Sequence, residues 1–135
     1  MGVLIDSSVL IGHERGHLDL ERKLAGRDGE EFFLSVVTAS ELLHGVHRAQ
    51  STAIRARRSA LVEAVLERFP LLQIDLATAR VHAQLGAHLA ATGATIGPND
   101  LWLASAAVAH GLALATGNIR EFNRVSGLIV EAWSN

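Results

Sequence analysis

Cysteine is absent from this chain of 135 residues, proline occurs twice, and lysine occurs once, at Lys23. Without cysteine there are no disulfides, thiolate zinc sites or cysteine nucleophile, and a reducing, cytoplasmic setting is the natural expectation. Also missing are a Gly-rich phosphate loop, the His-Glu-x-x-His helix of zinc peptidases and the nucleophile elbow of a serine hydrolase. The opening Met1-Gly2-Val3-Leu4-Ile5-Asp6 has neither a basic leader nor a long apolar segment, and Asp6 stands where a myristoylation signal needs Ser or Thr. Leu101 to Ile119 lacks Asp, Glu, Lys and Arg, but it contains His110, Gly111, Thr116 and Asn118. It reads as a buried helix running into a buried parallel strand, so no membrane span is expected.

What the chain does contain is 49% hydrophobic and 19% charged residues, the composition of a soluble globular protein, and its length suits one domain over residues 1–135. A net charge of −2 excludes a generally basic nucleic-acid coat. The basic residues are unevenly spread: Leu42 to Val62 holds Arg48, Arg55, Arg57 and Arg58 with no Asp or Glu. These four form either a solvated helix face or a phosphate-contacting patch, for which the forked guanidinium is suited.

Apolar runs at Val3–Ile5, Phe33–Val37, Leu71–Ile74, Leu112–Ala115 and Leu128–Val130 read as strands. Between them, Leu61, Val62, Val65, Leu66 and Phe69 form one helical stripe, and Val81, Leu85 and Leu89 form another. Ser7, Thr38, Asp75 and Pro98-Asn99 signal helix starts, and Gly93 and Gly111 signal stops. Thr38–Phe69 is long enough for two helices broken near Gln50-Ser51-Thr52, a hairpin expected to project from the sheet. Residues 13–31 are polar and give no clear helix pattern. Strands alternating with helices imply an α/β domain with a mainly parallel sheet.

Four acids, Asp6, Glu41, Asp100 and Glu121, fall at or near handovers between strand and helix. Singly, each has a structural explanation. Asp6 could cap the helix starting at Ser7, and Thr38-Ala39-Ser40-Glu41 has the form of a capping box. Asp100 suits a first helical turn, and Glu121 could be an ordinary exposed residue. Jointly, all four can face the rim formed by the carboxyl ends of parallel strands, where grouped carboxylates repel unless a cation lies between them. Oxygen-only ligands suit Mg²⁺ or Mn²⁺, and such a site can act on a phosphodiester. Among the seven histidines, His44 forms one Glu-x-x-His with Glu41, whereas a di-iron bundle needs two.

Four stretches resemble the motifs of the PIN-domain ribonucleases, in particular the VapC-type toxins of bacterial toxin–antitoxin pairs. They are Val3-Leu4-Ile5-Asp6-Ser7-Ser8, Ser35 to Gly45 with Glu41 four residues before the glycine, Asn99-Asp100-Leu101-Trp102, and Thr116-Gly117-Asn118-Ile119-Arg120-Glu121-Phe122. The resemblance covers essentially the whole chain. It implies a three-layer α/β/α fold with a five-stranded parallel sheet, Mg²⁺- or Mn²⁺-dependent endonucleolytic cleavage of RNA, a homodimer, and inhibition by a cognate antitoxin. Carried over, Asp6, Glu41 and Asp100 would hold the metal, Ser7 would orient Asp6, and Thr116 and Asn118 would line the pocket. Many members have an Asp where this chain has Asn118 or Glu121, so Glu121 is expected to complete the site. By the same resemblance Arg48, Arg55, Arg57 and Arg58 are candidate contacts to RNA or a partner.

Two other readings stand beside this one. A phosphatase of the haloacid-dehalogenase type also begins strand-Asp, but it needs a second Asp where Ser8 stands and a lysine, of which Lys23 is the only one. A domain that keeps the scaffold without turnover would bind RNA or a partner, with Asn118 as its mark. A partner helix could then lie on an apolar face around Leu42, Leu43 and Val46.

Overall fold

The computed structural model describes residues 2–134. In chain order the elements are β1 (Gly2–Ile5), α1 (Ser7–Glu14), α2 (Leu20–Leu24), β2 (Glu31–Ser35), α3 (Val36–Arg48) and α4 (Thr52–Arg68). There follow β3 (Leu71–Leu72), α5 (Leu76–Thr92), α6 (Pro98–His110), β4 (Ala113–Thr116), α7 (Ile119–Phe122) and β5 (Ile129–Ala132). The five strands form one sheet in the order β3-β2-β1-β4-β5, and every neighbouring pair is parallel.

Burial explains why β1 and β4 are apolar on both faces. Val3 and Ile5 pack with Leu10, Leu42, Val46 and Val62 from the α1–α4 side. Leu4 and Leu114, both at 0% exposure, pack with Leu103, Ala107 and Phe122 on the α6–α7 side. Two helical layers thus cover the sheet, the three-layer α/β/α arrangement, and each fully buried leucine contributes about 1.5–3 kcal/mol. The chain runs outward from β1 to β3, then returns past β1 to lay down β4 and β5. The direction of winding therefore reverses between β1 and β4, where open parallel sheets form their binding crevice.

Several boundaries follow the sequence signals. Ser51 caps α4, Asp75 caps α5 by accepting from the Thr78 amide at 2.8 Å, and Pro98 opens α6. Gly93 and Gly111 end α5 and α6 at φ of 72° and 65°, the left-handed geometry that glycine adopts without strain. The segment 101–119 is indeed a helix running into a buried strand, and among the described residues no helix is long and apolar enough to cross a membrane.

Other boundaries differ. The expected strand Phe33–Val37 ends at Ser35, because the Ser35 hydroxyl accepts from the Val37 amide at 3.1 Å and starts α3 there. Thr38 is consequently inside the helix with no role as a cap, and the Thr38–Glu41 capping box does not form. The expected strand Leu71–Ile74 shrinks to two residues, and Leu128–Val130 is shifted to Ile129–Ala132. The α3–α4 hairpin does not project; Leu42, Val46, Val62, Val65 and Phe69 lay it against the sheet. Leu42 and Val46 are buried, so the apolar face considered for a partner helix is already filled by this chain's own core. Within 13–31, α2 is a five-residue helix capped by Asp19.

Candidate metal centre

The carboxyl rim is built by the topology. Asp6 follows β1 directly, Thr116 is the last residue of β4, and Asn118 and Glu121 lie in the turn and short helix after it. Because α6 leads into the amino end of β4, its own amino end, with Asp100 in the first turn, points back to the same rim. Glu41 reaches the rim differently: it lies in the second turn of α3 and not at the strand end itself. Asp6 and Thr116 flank the point where the winding reverses.

Asp6 is buried, and its side chain makes no cap hydrogen bond to α1. Instead its Oδ2 accepts from the Ser8 and Thr116 hydroxyls, each at 2.7 Å. Ser7, expected to orient Asp6, reaches only Oδ1, at 3.5 Å. Ser8 is the closer partner and was not singled out in the sequence; it also accepts from the Gly117 amide at 3.0 Å and so ties β1 to the turn after β4. The Ser7-Ser8 doublet after the strand was its only signal. Thr116 Oγ1 in turn accepts from the Asn118 amide at 2.9 Å.

Glu41 is pushed above its ordinary range by burial and then by the charge of Asp6, against hydrogen bonds from Ser7 and Asn99 that pull it down. Asn99, which the sequence marks only as a helix start, thus also bears on the site. Asp100 is raised to about 7, first by burial and then by the charges of Asp6, Glu121 and Glu41. Glu121 is held low instead, because its Oε1 accepts from the Gly97 amide at 2.9 Å and its Oε2 from the Asn118 side-chain amide at 3.0 Å. Asp100 and Glu121 thus shift in opposite directions, each influencing the other, Asp100 upward and Glu121 downward. Asn118 leaves no gap where an acid was expected, since its amide orients Glu121.

The structure therefore brings Asp6, Glu41 and Glu121 within electrostatic reach of Asp100, with Ser7, Thr116 and Asn118 around them. The donors are oxygen only, which suits Mg²⁺ or Mn²⁺ and not zinc. Among the described residues no three His, Asp or Glu side chains converge closely enough to ligate one ion directly. An ion here would be held partly through water, which fits the reluctance of Mg²⁺ to dehydrate. A wider cleft of about 340 Å³, between Leu24, Arg27, Phe32, Arg68 and Pro70, opens at the amino end of the sheet and is remote from these acids.

The arginine cluster divides. Arg55 donates to the Ala49 carbonyl at 2.7 Å. Arg58 pairs with Glu14 at 2.8 Å and donates to the Gly45 carbonyl at 3.0 Å. These bonds tie α4 to α1 and α3; Arg58 is neutralised by Glu14, whereas Arg55 is exposed and makes no ion pair among the described residues. Arg48 and Arg57 are exposed and make no ion pair among the described residues.

Parallel order, reversal point and clustered acids define an α/β domain with a group of carboxylates at its crevice. Residues 3–128 match the PIN domain family model, and the chain belongs to that family. It is 32% identical over 130 residues to "Ribonuclease VapC1" of Rickettsia felis, covering 96% of this chain and 95% of that one. It is 39% identical over 101 residues to a "tRNA(fMet)-specific endonuclease VapC" of Shigella flexneri, covering 75% and 74%. Its fold matches the crystal structure of VapBC2 from Rickettsia felis bound to a promoter DNA fragment, with TM-score 0.88, 25% identity, and 99% and 100% coverage. The chain is thus a homologue of the VapC ribonucleases.

Proposed function

We propose that this chain is a Mg²⁺- or Mn²⁺-dependent endoribonuclease, the toxin of a toxin–antitoxin pair, held in check by a cognate antitoxin and acting in the cytoplasm as a homodimer. The observation that carries the reading is the group of four acids at the winding reversal, in which burial, and then the charges of Asp6, Glu121 and Glu41, push Asp100 up to about 7. The relatives support the substrate class, being named ribonucleases or, in one case, a transfer-RNA-specific endonuclease. The solved neighbours support the partner, since they are VapBC complexes.

Asp6, Asp100 and Glu41 would hold the ion, with Glu121 bordering them through Asp100. Such an ion, when bound, activates a water and neutralises charge at the phosphodiester. Ser8 and Thr116 fix one oxygen of Asp6 and leave Oδ1 with only the long contact to Ser7. Gly97 and Asn118 fix both oxygens of Glu121. Glu41, whose proton affinity is raised, is the carboxylate suited to accept a proton from an attacking water. The test is incubation of the purified chain with total RNA in Mg²⁺ or Mn²⁺, with and without chelator. Cleavage is expected only with the metal and is expected to vanish in folded Asp6→Asn; cleavage persisting in either condition overturns the metal mechanism.

A further inference from the structure

A small cleft of about 70 Å³ opens beside Glu41, between the end of α1, α3 and the middle of α4. Its walls include Glu14, Arg15, Glu41, Arg48 and Arg58. Arg58 and Glu14 neutralise each other across the cleft at 2.8 Å. Arg15 and Arg48 are exposed and make no ion pair among the described residues. Arg48 is seven residues beyond Glu41 on one helix, so the two share a face about 10 Å apart along its axis. Arg15 closes α1 on the facing wall.

The carboxyl end of a helix favours positive charge, and both arginines sit at one. That preference does not explain why two unpaired guanidiniums from different helices border one cleft whose far side is a carboxylate of the metal centre. A nucleic-acid strand approaching four acids is repelled, and cations on its path offset that repulsion. Glu41 is half-buried, so a phosphodiester reaches it only if the strand bends inward, as single strands and loops do and duplexes do not.

On the ribonuclease reading above, we infer that Arg15 and Arg48 grip the phosphates of a single-stranded RNA next to the bond being cut and so position that bond at the acid cluster. They act on the backbone and carry no base preference. Arg58, which looked equivalent in the sequence, is excluded from this role by its pairing with Glu14, and Arg55 does not line the cleft. An acidic segment of a protein partner would suit the same guanidiniums, but it has no need to reach the carboxylates at the end of the cleft.

The experiment measures binding of a fluorescein-labelled oligouridylate of about twelve nucleotides by anisotropy. It compares Asp100→Asn protein with the same protein carrying Arg15→Ala, Arg48→Ala, Arg48→Lys or, as a control on the opposite helical layer, Arg80→Ala. Folding of each is checked by circular dichroism. Arg15→Ala and Arg48→Ala are each expected to weaken binding about 3–10-fold near 0.1 M salt and to reduce the slope of log K against log salt by about 0.7. Arg48→Lys restores the slope, and Arg80→Ala changes nothing. In otherwise wild-type protein the two alanine variants raise KM with kcat little changed. If both bind and cleave like their parents, the inference falls while the ribonuclease reading stands. If they instead lose a co-expressed protein partner with the RNA slope intact, the pair belongs to a protein interface and the inference is likewise overturned. Absence of metal-dependent cleavage by the wild-type chain is the separate result that removes the ribonuclease reading.

Discussion

At Asp6 the two carboxylate oxygens are held differently. Oδ2 accepts from Ser8 and Thr116 at 2.7 Å each, whereas Oδ1 has only the long contact to Ser7 at 3.5 Å. Partners that orient a metal-binding carboxylate typically change metal affinity or activity by about 10–100-fold when removed. Ser8→Ala and Thr116→Val should each lower kcat/KM by about that factor and raise the Mg²⁺ concentration for half-maximal rate. The Ser7 hydroxyl also pulls the Glu41 carboxyl down against its burial. Its loss removes that influence, so Ser7→Ala should move the acid limb of the pH–rate profile to higher pH while Mg²⁺ half-saturation stays close to wild type. Metal titrations that are the same for Ser8→Ala, Thr116→Val and wild type would show that the hydroxyls do not position Asp6.

At the scale of elements, the start of α3 separates two jobs that the sequence had merged. Ser35 caps the helix, and Glu41 takes no part in the cap. Ser35→Ala should therefore cost about 1 kcal/mol of stability, a fall of roughly 4 °C in Tm. Glu41→Gln should leave Tm unchanged or higher and lower activity by about 10²-fold or more. A large fall in Tm for Glu41→Gln would return Glu41 to a capping role. The rim was legible in the sequence because parallel strands ending in Asp6 and near Thr116 must share a side, and Pro98-Asn99-Asp100 marks a helix start facing it. The α3 boundary was not, since Val36 and Val37 are β-branched and prolong the apolar run, while the cap depends on where one serine hydroxyl turns. β3 has two residues, too few for any period to register. The sorting of the arginines was equally hidden: Arg58 is engaged by Glu14, 44 positions away, a pairing that exists only after folding.

For the molecule as a whole, the acid cluster links stability, pH and metal. Asp100 is raised to about 7 and Glu41 is raised as well, both chiefly by burial. Unfolded, both titrate near 4. The folded state therefore binds more protons between about pH 4 and pH 7, and the stability contributed by these groups falls as pH rises through that window. Above it, both are ionised and the metal-free protein carries the full repulsion. Because Asp100 is only half-buried, solvent screening reduces this penalty to about 1–2 kcal/mol. Asp100→Asn should therefore raise the Tm of metal-free protein at pH 8 by a few degrees, an instance of stability gained where function is lost. Mg²⁺ should stabilise the wild type most at pH 8, by about 2.7 kcal/mol at a hundredfold excess over Kd. The gain should be much smaller at pH 5, where protons compete for the same oxygens. Chelation should reverse it, and Asp100→Asn should show little response to the ion. Thermal melts at pH 5 and pH 8, with Mg²⁺ and with chelator, read all four quantities. A lower metal-free Tm for Asp100→Asn at pH 8, or a Mg²⁺ response equal at the two pH values, would mean that the four carboxylates are spaced for packing and not for a cation.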